Sequence, residues 1–453
     1  MSSADFLAGQ VVNLSYDAIP ERVVFKAKSL LLDQLGCQLA FATLPWSKAA
    51  CEYARMKKGQ GKSTVVFYGT KTDAEEAAFC NSVFGHGFEM DDVDMDTTSH
   101  PAVCIVPVVL ALGEQEGSSG KDVLAAMVAG YEVMLRFARA ADSMRLRSFH
   151  ASSVSGAFGA AAATGKMLGF DVNIVGNALG IATTMAGGNT EYSQTGGTVK
   201  RTLGSTGVAA GMRAALLAGA GITGPREAFE GKKSFVRGIC QNEPVWEEFG
   251  KTFANEWMIL GVGTKPYCCC AGQHAVIDAA QRIRERGIAA ADIDRAIIVQ
   301  RPREYGDVGA ITMPNDVISS QFCGRFAFAL RMVKGGNGYF DYTQENIDDP
   351  QVRDLCARTD YECDENCERL TVPEGPAIVR VILHDGRVIE EQVDYALGRK
   401  QNPMSYDDVV AKFKGLVSEA VSKEVADRII EEVMQIDEVD SIKPLMSLLA
   451  VKR

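Results

Sequence analysis

Two histidines and two lysines of this 453-residue chain stand beside small-residue segments, where their side chains could take part in proton transfer. His100 follows a dense run of carboxylates, and His150 precedes a segment rich in serine and alanine. Imidazole is the side chain most readily tuned for proton transfer near neutral pH. Lys200 and Lys265, in glycine-rich settings, supply cations that could hold an anionic substrate. We therefore predict an acid–base site for a small polycarboxylate at these four positions.

The carboxylates around His100 allow two interpretations. They are Glu89, Asp91, Asp92, Asp94 and Asp96. A solvated loop that caps the next helix is the ordinary one, because charge runs usually lie on the surface and threonine or serine follows as an N-cap. Met90 between the carboxylates, with His86 nearby, favours partial burial instead. Crowded carboxylates raise the pKa of at least one member, which suits a general acid or base.

Each of the other candidate residues also has an ordinary structural explanation. His150 could be buried for packing, as histidines often are. Arg147 could bind a carboxylate or be a surface charge. Lys200 follows a loop and precedes a predicted helix, where free N–H groups favour an anion, although an exposed lysine shows the same pattern. Lys265 has a similar setting, and His274 opens a predicted helix that it could merely cap.

The segments that must position these residues are mostly helical over the first 260 positions. Apolar residues at helical spacing predict helices over 22–40, 73–81, 103–115, 120–141, 154–168 and 207–218. Many are rich in Ala and Gly, as in 156–163. Since Gly in a helix costs about 1 kcal/mol relative to Ala, close helix packing is expected to compensate. Residues 65–68 have a strand-like composition.

Strand patterns occur mainly beyond Gly261. Residues 292–300 predict a strand, and 377–393 predict a hairpin turning at Asp385-Gly386. A helix is expected over 321–333, and helices return over 406–418, 423–434 and 442–449. We predict a mainly α fold: a large all-helical domain of residues 1–264 and 396–453, with a smaller α+β lid domain, residues 265–395, inserted into it.

Composition and charge argue against several classes of protein. The net charge is −11 and there is no basic stripe, so a general nucleic-acid binder is not expected. No apolar run reaches the ~18 residues of a membrane helix, and the N-terminal residues do not have the pattern of a signal peptide, so we expect a cytoplasmic protein. The cysteines Cys268 to Cys270, and Cys356, Cys363 and Cys367, lack the spacing of zinc ligands, so no metal is expected.

The order and spacing of several motifs resemble the MmgE/PrpD family over nearly the whole chain, from near Asp5 to near Asp440. The motifs are Leu31–Gly36, Phe88–Asp92 with Ser99–Pro101, Gly130–Val133, Phe149-His150, Asn177–Ala182, Gly221–Pro225, and Lys265–Tyr267 running on to His274 and Asp278–Ala280. Members of that family include 2-methylcitrate dehydratases, cis-aconitate decarboxylases and iminodisuccinate epimerases. The resemblance implies a homodimer with its active site in a cleft between the two domains, and neither metal nor organic cofactor.

By position, the resemblance implies that six residues line the active site, with His274 as a weaker match. They are Glu89, Asp92, His100, His150, Lys200 and Lys265. We hypothesise that His150 or His100 is the acid or base acting on carbon. The two lysines would bind substrate carboxylates and stabilise enediolate-like charge, and Glu89 and Asp92 would orient a histidine. His274 and Arg147 are further candidates for substrate binding.

The resemblance predicts a cofactor-independent lyase for a small di- or tricarboxylate, similar to a cis-aconitate decarboxylase or a 2-methylcitrate dehydratase. An isomerase that epimerises a substituted succinate at the same site is one alternative, and a non-catalytic polycarboxylate-binding protein is another. Ala151-Ser152 follows His150 where many relatives have Pro-Thr, Val93 replaces a common Thr, and Cys270 stands where some relatives have His. These departures leave open the choice between dehydration, decarboxylation and epimerisation.

Overall fold

The computed structural model describes residues 1–195, 197–364, 369–370, 372 and 375–451. These form two compact units. The first comprises Met1–Gly87, Asp91–Val262 and Ser405–Arg453, and the second comprises Phe88–Met90 and Gly263–Met404. The sequence pattern had suggested divisions after residues 264 and 395, and it did not separate the short segment 88–90 from its chain neighbours. Cys367, named above, and Gly196, in the glycine-rich segment before Lys200, lie outside the described residues.

The N-terminal part of the first unit is helical. Its helices are α1 (Ser3–Asn13), α2 (Glu21–Phe41), α3 (Pro45–Lys57), α4 (Ala74–Gly85), α5 (Pro101–Glu116), α6 (Gly120–Ala140), α7 (Ala151–Met167), α8 (Val172–Ala182), α9 (Tyr192–Thr195), α10 (Leu203–Gly219) and α11 (Phe235–Ile239). Each predicted helix is present, but α5, α7 and α10 begin two to four residues earlier than predicted. Serines, glycines and a proline fill these first turns and obscure the apolar period.

Helix α7 packs closely against α10, as its small residues predict. A Cβ added to Gly211 of α10 would lie 2.3 Å from the carbonyl oxygen of Ala157 in α7. A Cβ on Gly207 would lie 2.9 Å from the carbonyl oxygen of Ser153. Contacts this short leave no room for a side chain, so only glycine lets the two backbones approach this closely. The close packing offsets the poor helix propensity of glycine.

Residues 65–68 do not form the predicted strand. Two very short antiparallel strands, β1 (Ser63–Thr64) and β2 (Lys71–Thr72), flank them instead. The backbone N–H of Val66 donates to Oδ1 of Asn81 at 2.9 Å, and Phe67 has a left-handed φ of 69°. A side-chain amide therefore takes the place of a partner strand.

The second unit contains helices and one four-stranded sheet. Its strands are β3 (Ile293–Gln300), β4 (Thr359–Cys363), β5 (Ala377–Leu383) and β6 (Val388–Val393), in the order β4-β3-β5-β6. Its helices are α12 (His274–Glu285), α13 (Pro302–Glu304), α14 (Val317–Ser320), α15 (Gly324–Lys334), α16 (Gln344–Asp348) and α17 (Pro350–Ala357). Strands β5 and β6 form the predicted hairpin, with Gly386 at a φ of 85°. Strand β4, parallel to β3, was not predicted.

The chain ends in three helices of the first unit, α18 (Tyr406–Val417), α19 (Lys423–Met434) and α20 (Lys443–Leu448), close to the predicted ranges. Helix α18 packs on α2. The fold is thus mainly α with small sheets. Over the residues that the structure describes, no helix combines the length and the apolar character needed to cross a bilayer. The same residues include no group of three or more His, Cys, Asp or Glu side chains arranged to hold a metal ion.

Candidate active site

His100 and His150 each occupy the position immediately before a buried helix. His100 precedes α5, whose first residue is Pro101, and His150 is the N-cap of α7. The backbone N–H of His100 donates to Oγ of Ser152 at 2.8 Å, so the first turn of α7 is tied to the start of α5. The backbone N–H of His150 donates to the carbonyl of Gly188 at 3.1 Å. The structure therefore brings the starts of two helices, and with them the two predicted histidines, to one place.

A single carboxylate, that of Asp91, contacts two imidazoles. Its Oδ2 lies 2.8 Å from Nδ1 of His86 and 3.2 Å from Nδ1 of His100. Nδ1 of His100 also lies 2.6 Å from the carbonyl oxygen of Asp92. Since a carbonyl oxygen can only accept, we assign the proton of neutral His100 to Nδ1, which leaves the lone pair on Nε2. We likewise place a proton on Nδ1 of His86, directed at the carboxylate oxygen Oδ2 of Asp91 as acceptor.

His150 has the opposite tautomer. Its Nδ1 accepts a hydrogen bond from the backbone N–H of Ser153 at 3.3 Å. A backbone N–H can only donate, so the proton of neutral His150 is on Nε2. Burial, and then the nearby His86 and His100, hold the pKa of His150 well below its usual range. His150 is therefore a neutral imidazole near neutral pH that presents an N–H donor.

The three imidazoles and one carboxylate form one group, which we call the histidine cluster: His86, His100, His150 and Asp91. The ring of His86 lies 5.3 Å from that of His100 and 6.3 Å from that of His150, centroid to centroid. Burial lowers the pKa of His86; Asp91 opposes this shift, and the charges of Lys200 and Arg201 add to it.

Lys200 lies beside the cluster, as its effect on His86 indicates. It is buried, on a 3₁₀ turn over Thr198–Thr202 that leads directly into α10, so the predicted loop-to-helix setting is confirmed. Arg201 is also buried and places its guanidinium 5.4 Å from the ring centroid of Trp46. The first unit therefore supplies two cations next to three imidazoles, a suitable environment for an anionic ligand.

Asp92 does not have the contact that was predicted for it. Its carboxylate accepts from the backbone N–H of Ala102 at 3.0 and 3.1 Å and from Oη of Tyr131 at 3.0 Å. Burial raises the pKa of Asp92 well above its usual range. The Asp92 side chain therefore caps the first turn of α5. The carboxylate that contacts the histidines is that of Asp91. The sequence analysis assigned the orienting carboxylate to Asp92, which reaches His100 through its main-chain carbonyl, and it gave His86 no role in the site.

Backbone strain accompanies both helix starts of the cluster. Thr98, two residues before His100, has a φ of 53°, and Ser148, two residues before His150, has a φ of 62°. Left-handed φ values are uncommon outside glycine and are found where the surrounding structure imposes them, often at functional sites.

Glu89 and Lys265 form a buried ion pair in the second unit. Nζ of Lys265 lies 3.5 Å from Oε2 of Glu89 and 3.5 Å from its carbonyl oxygen, and the two side chains are 1% and 4% exposed. Glu89 has a left-handed φ of 56°. The preceding carbonyl, of Phe88, accepts from Sγ of Cys268 at 2.9 Å and from Nε2 of Gln321 at 3.2 Å. Lys265 thus contacts Glu89 at both its main-chain carbonyl and its side chain.

The two remaining predicted residues have different surroundings. His274 is buried at the start of α12, with its ring 5.3 Å from that of Tyr267, in the same unit as Lys265. Arg147 is exposed and donates from Nη1 to the carbonyl of Gly238 at 2.6 Å. A surface contact accounts for Arg147, and the structure does not bring it to the histidine cluster.

The chain matches two models of known protein domains along most of its length. Residues 5–247 match the MmgE/PrpD N-terminal domain and residues 267–438 match the MmgE/PrpD C-terminal domain. A cis-aconitate decarboxylase of Aspergillus terreus (strain NIH 2624 / FGSC A1156) is 28% identical over 96% of this chain and 94% of its own length. The human cis-aconitate decarboxylase is 26% identical over 99% of this chain and 94% of its own length. A cis-aconitate decarboxylase-like protein of Aspergillus oryzae is 26% identical over 98% of this chain. With both domain models matched in order, this chain belongs to the MmgE/PrpD family.

Proposed function

We propose that this protein is a cofactor-independent lyase that decarboxylates a small unsaturated tricarboxylate, similar to cis-aconitate. The observation that carries the proposal is the contact of the Asp91 carboxylate with Nδ1 of His100 at 3.2 Å, beside a His150 whose Nδ1 accepts a main-chain N–H. The relatives from Aspergillus terreus and human are cis-aconitate decarboxylases, which favours decarboxylation over the other reactions of the family.

The proposed reaction breaks the bond between carbon and the departing carboxylate. Its electron pair moves through the neighbouring double bond, and a new C–H bond forms at the far alkene carbon, so that one proton is consumed for each CO₂ released. His100 delivers this proton from Nε2, because a carboxylate at hydrogen-bond distance, here that of Asp91, favours the protonated imidazole. Proton transfer of this kind typically contributes about 10²–10⁴-fold to the rate.

His150 has a different role, which follows from its low pKa. A neutral imidazole does not protonate carbon readily, but its Nε2–H can donate to the oxyanion that develops as CO₂ leaves. Lys200 and Lys265 bind substrate carboxylates, and Glu89 positions Lys265 through their ion pair. His274 remains a candidate for substrate binding through its place in the same unit as Lys265.

Dehydration of a hydroxylated tricarboxylate is the second candidate, because His100 in its neutral form has a lone pair on Nε2 that could remove a proton from carbon. The two reactions differ in the sign of their pH dependence. Decarboxylation needs protonated His100 and is lost as pH rises, whereas dehydration needs neutral His100 and is lost as pH falls. Epimerisation is disfavoured, because with neutral His100 as the base His150 would have to return a proton to carbon from its neutral form, and a neutral imidazole is a poor acid towards carbon.

The test is NMR in D₂O of the protein with cis-aconitate, 2-methylcitrate and substituted succinates. We expect release of CO₂ from cis-aconitate and incorporation of one deuterium at carbon. His100→Ala is expected to lower kcat/KM by about 10²–10⁴-fold. His384→Ala is the matched control, because that side chain is 61% exposed. Binding of these acids without turnover would refute the lyase and favour a polycarboxylate-binding protein.

Three further proposals concern the second domain, the oligomeric state and the location of the protein. We propose that residues 265–395 act as an inserted lid domain, that the protein is a homodimer, and that it is cytoplasmic. Light scattering in solution tests the dimer, and cell fractionation tests the location. Loss of turnover when the segment is deleted, with the remaining chain still folded, tests a catalytic need for the insertion.

A further inference from the structure

We propose that His86 is a positioning residue that holds the Asp91 carboxylate against His100. This inference rests on the proposed function, since it assigns His86 and Asp91 to the support of the proton donor. It concerns a buried imidazole that the proposed mechanism leaves without a role.

The contacts of Asp91 favour this assignment. Its Oδ2 is closer to Nδ1 of His86, at 2.8 Å, than to Nδ1 of His100, at 3.2 Å. The side chain of His86 is 1% exposed, and that of His100 is 13% exposed. The inner imidazole therefore makes the shorter contact with the carboxylate, and the outer imidazole is the one accessible to a ligand.

The position of His86 is itself fixed. It follows the last residue of α4, and its backbone N–H donates to the carbonyl of Ser82 at 3.0 Å. A Cβ on the preceding Gly85 would lie 1.7 Å from Nε2 of Gln34, so the chain is tightly packed at this point. An imidazole anchored in this way can hold a carboxylate in one orientation.

Burial, more than any charge around it, keeps His86 neutral. Asp91 favours its protonated form, while burial, Lys200 and Arg201 disfavour it, and the net effect is a lowered pKa. His150 also faces His86 and is neutral for similar reasons. A neutral His86 donates one hydrogen bond to Asp91 without taking up the proton, so the negative charge of Asp91 stays available to protonated His100.

The test compares His86→Asn with His86→Phe. Asparagine places an amide N–H close to the position of Nδ1 and can still donate, whereas phenylalanine fills the space without a donor. We expect His86→Phe to lower kcat by about 10–100-fold, the range seen when outer partners of an active group are removed, with little change in KM. His86→Asn is expected to recover most of the rate. Equal losses in both variants would indicate a merely structural role and overturn the proposal.

A second measurement does not depend on turnover. ¹⁵N NMR follows the titration of His100 in the wild-type protein, in His86→Phe and in Asp91→Asn. We expect the midpoint to move to lower pH in both variants, because a poorly held or missing carboxylate supports the protonated imidazole less. An unchanged midpoint in His86→Phe would refute the positioning role, even if no substrate had been found. Absence of turnover with an intact shift would refute only the proposed reaction.

If His86→Phe does not fold, Asp91→Asn and His86→Asn decide the question. The midpoint of His100 must then move in Asp91→Asn and stay near the wild-type value in His86→Asn. Movement by the same amount in both would contradict the inference.

Discussion

Replacement of Lys412 is expected to destabilise the protein strongly, in a way that depends on pH. Nζ of Lys412, in α18, lies 2.5 Å from Oδ1 of Asp33, in α2, and the two side chains are 4% and 1% exposed. Lys412→Met leaves Asp33 buried without this partner. Breaking a buried ion pair by removing one member typically costs about 3–5 kcal/mol. Replacing both residues in Asp33→Leu/Lys412→Met is expected to recover most of that loss, because the remaining site is apolar.

The sign of the pH dependence follows from Asp33. Burial raises its pKa, and Lys412 opposes that shift. Without Lys412 the pKa of Asp33 in the folded protein is higher still, so between the unfolded and folded values the folded state binds more protons than the unfolded state. The free energy of unfolding then falls as pH rises through that interval. The deficit of Lys412→Met relative to wild type is therefore expected to grow as pH rises through the interval between the unfolded and folded pKa values of Asp33.

Urea unfolding followed by helical circular dichroism measures this effect, with the midpoint of the helical signal as the readout. Since the chain has two compact units, variants are compared by midpoint rather than by a single free energy. A Lys412→Met protein as stable as wild type at every pH, or a double variant less stable than the single one, would refute this reasoning.

Three other perturbations test the packing and the site. Gly211→Ala is expected to lower the unfolding midpoint, because the new Cβ would lie 2.3 Å from the carbonyl oxygen of Ala157. Gly9→Ala is the control, because a Cβ there has nothing within 4 Å, and this variant should be more stable than wild type by up to about 1 kcal/mol. Asp92→Leu should destabilise α5 by about 0.5–2 kcal/mol through loss of its cap, measured by thermal unfolding; a variant as stable as wild type would contradict the capping role. Lys265→Met is expected to raise KM for a tricarboxylate in steady-state assays, and an unchanged KM would exclude Lys265 from substrate binding.

The long helices could be predicted because their signal is local. Apolar residues at helical spacing in α2 and α6 give their ranges to within a residue or two. Strand β4 could not be found in this way, since it is only five residues long, Thr359 to Cys363, and its pairing with β3 depends on a distant segment. Residues 65–68 have strand-like side chains, but Asn81 from α4 supplies the hydrogen bond that a strand would have made.

The site was predictable in its residue types and less so in its contacts. The order of motifs identifies His100, His150 and Lys200, which the structure brings together. The choice between Asp91 and Asp92 depends on the course of a loop that leaves Glu89 at a φ of 56°, and on Tyr131 from α6, which reaches Asp92. Neither influence is visible in the sequence around the aspartates.

The hydrogen bond from the N–H of His100 to Oγ of Ser152 has a consequence for how this site tolerates change. The two imidazoles stand on separate helices, yet one hydroxyl couples their spacing, so that a shift of α7 along its axis would carry His100 with it. The fully buried Ser152 is therefore restricted in which substitutions its position tolerates. Threonine keeps the hydroxyl and the coupling, whereas alanine frees the two helix starts to move independently. The structure therefore requires a hydroxyl at position 152 to keep the starts of α5 and α7, and with them His100 and His150, at a fixed spacing.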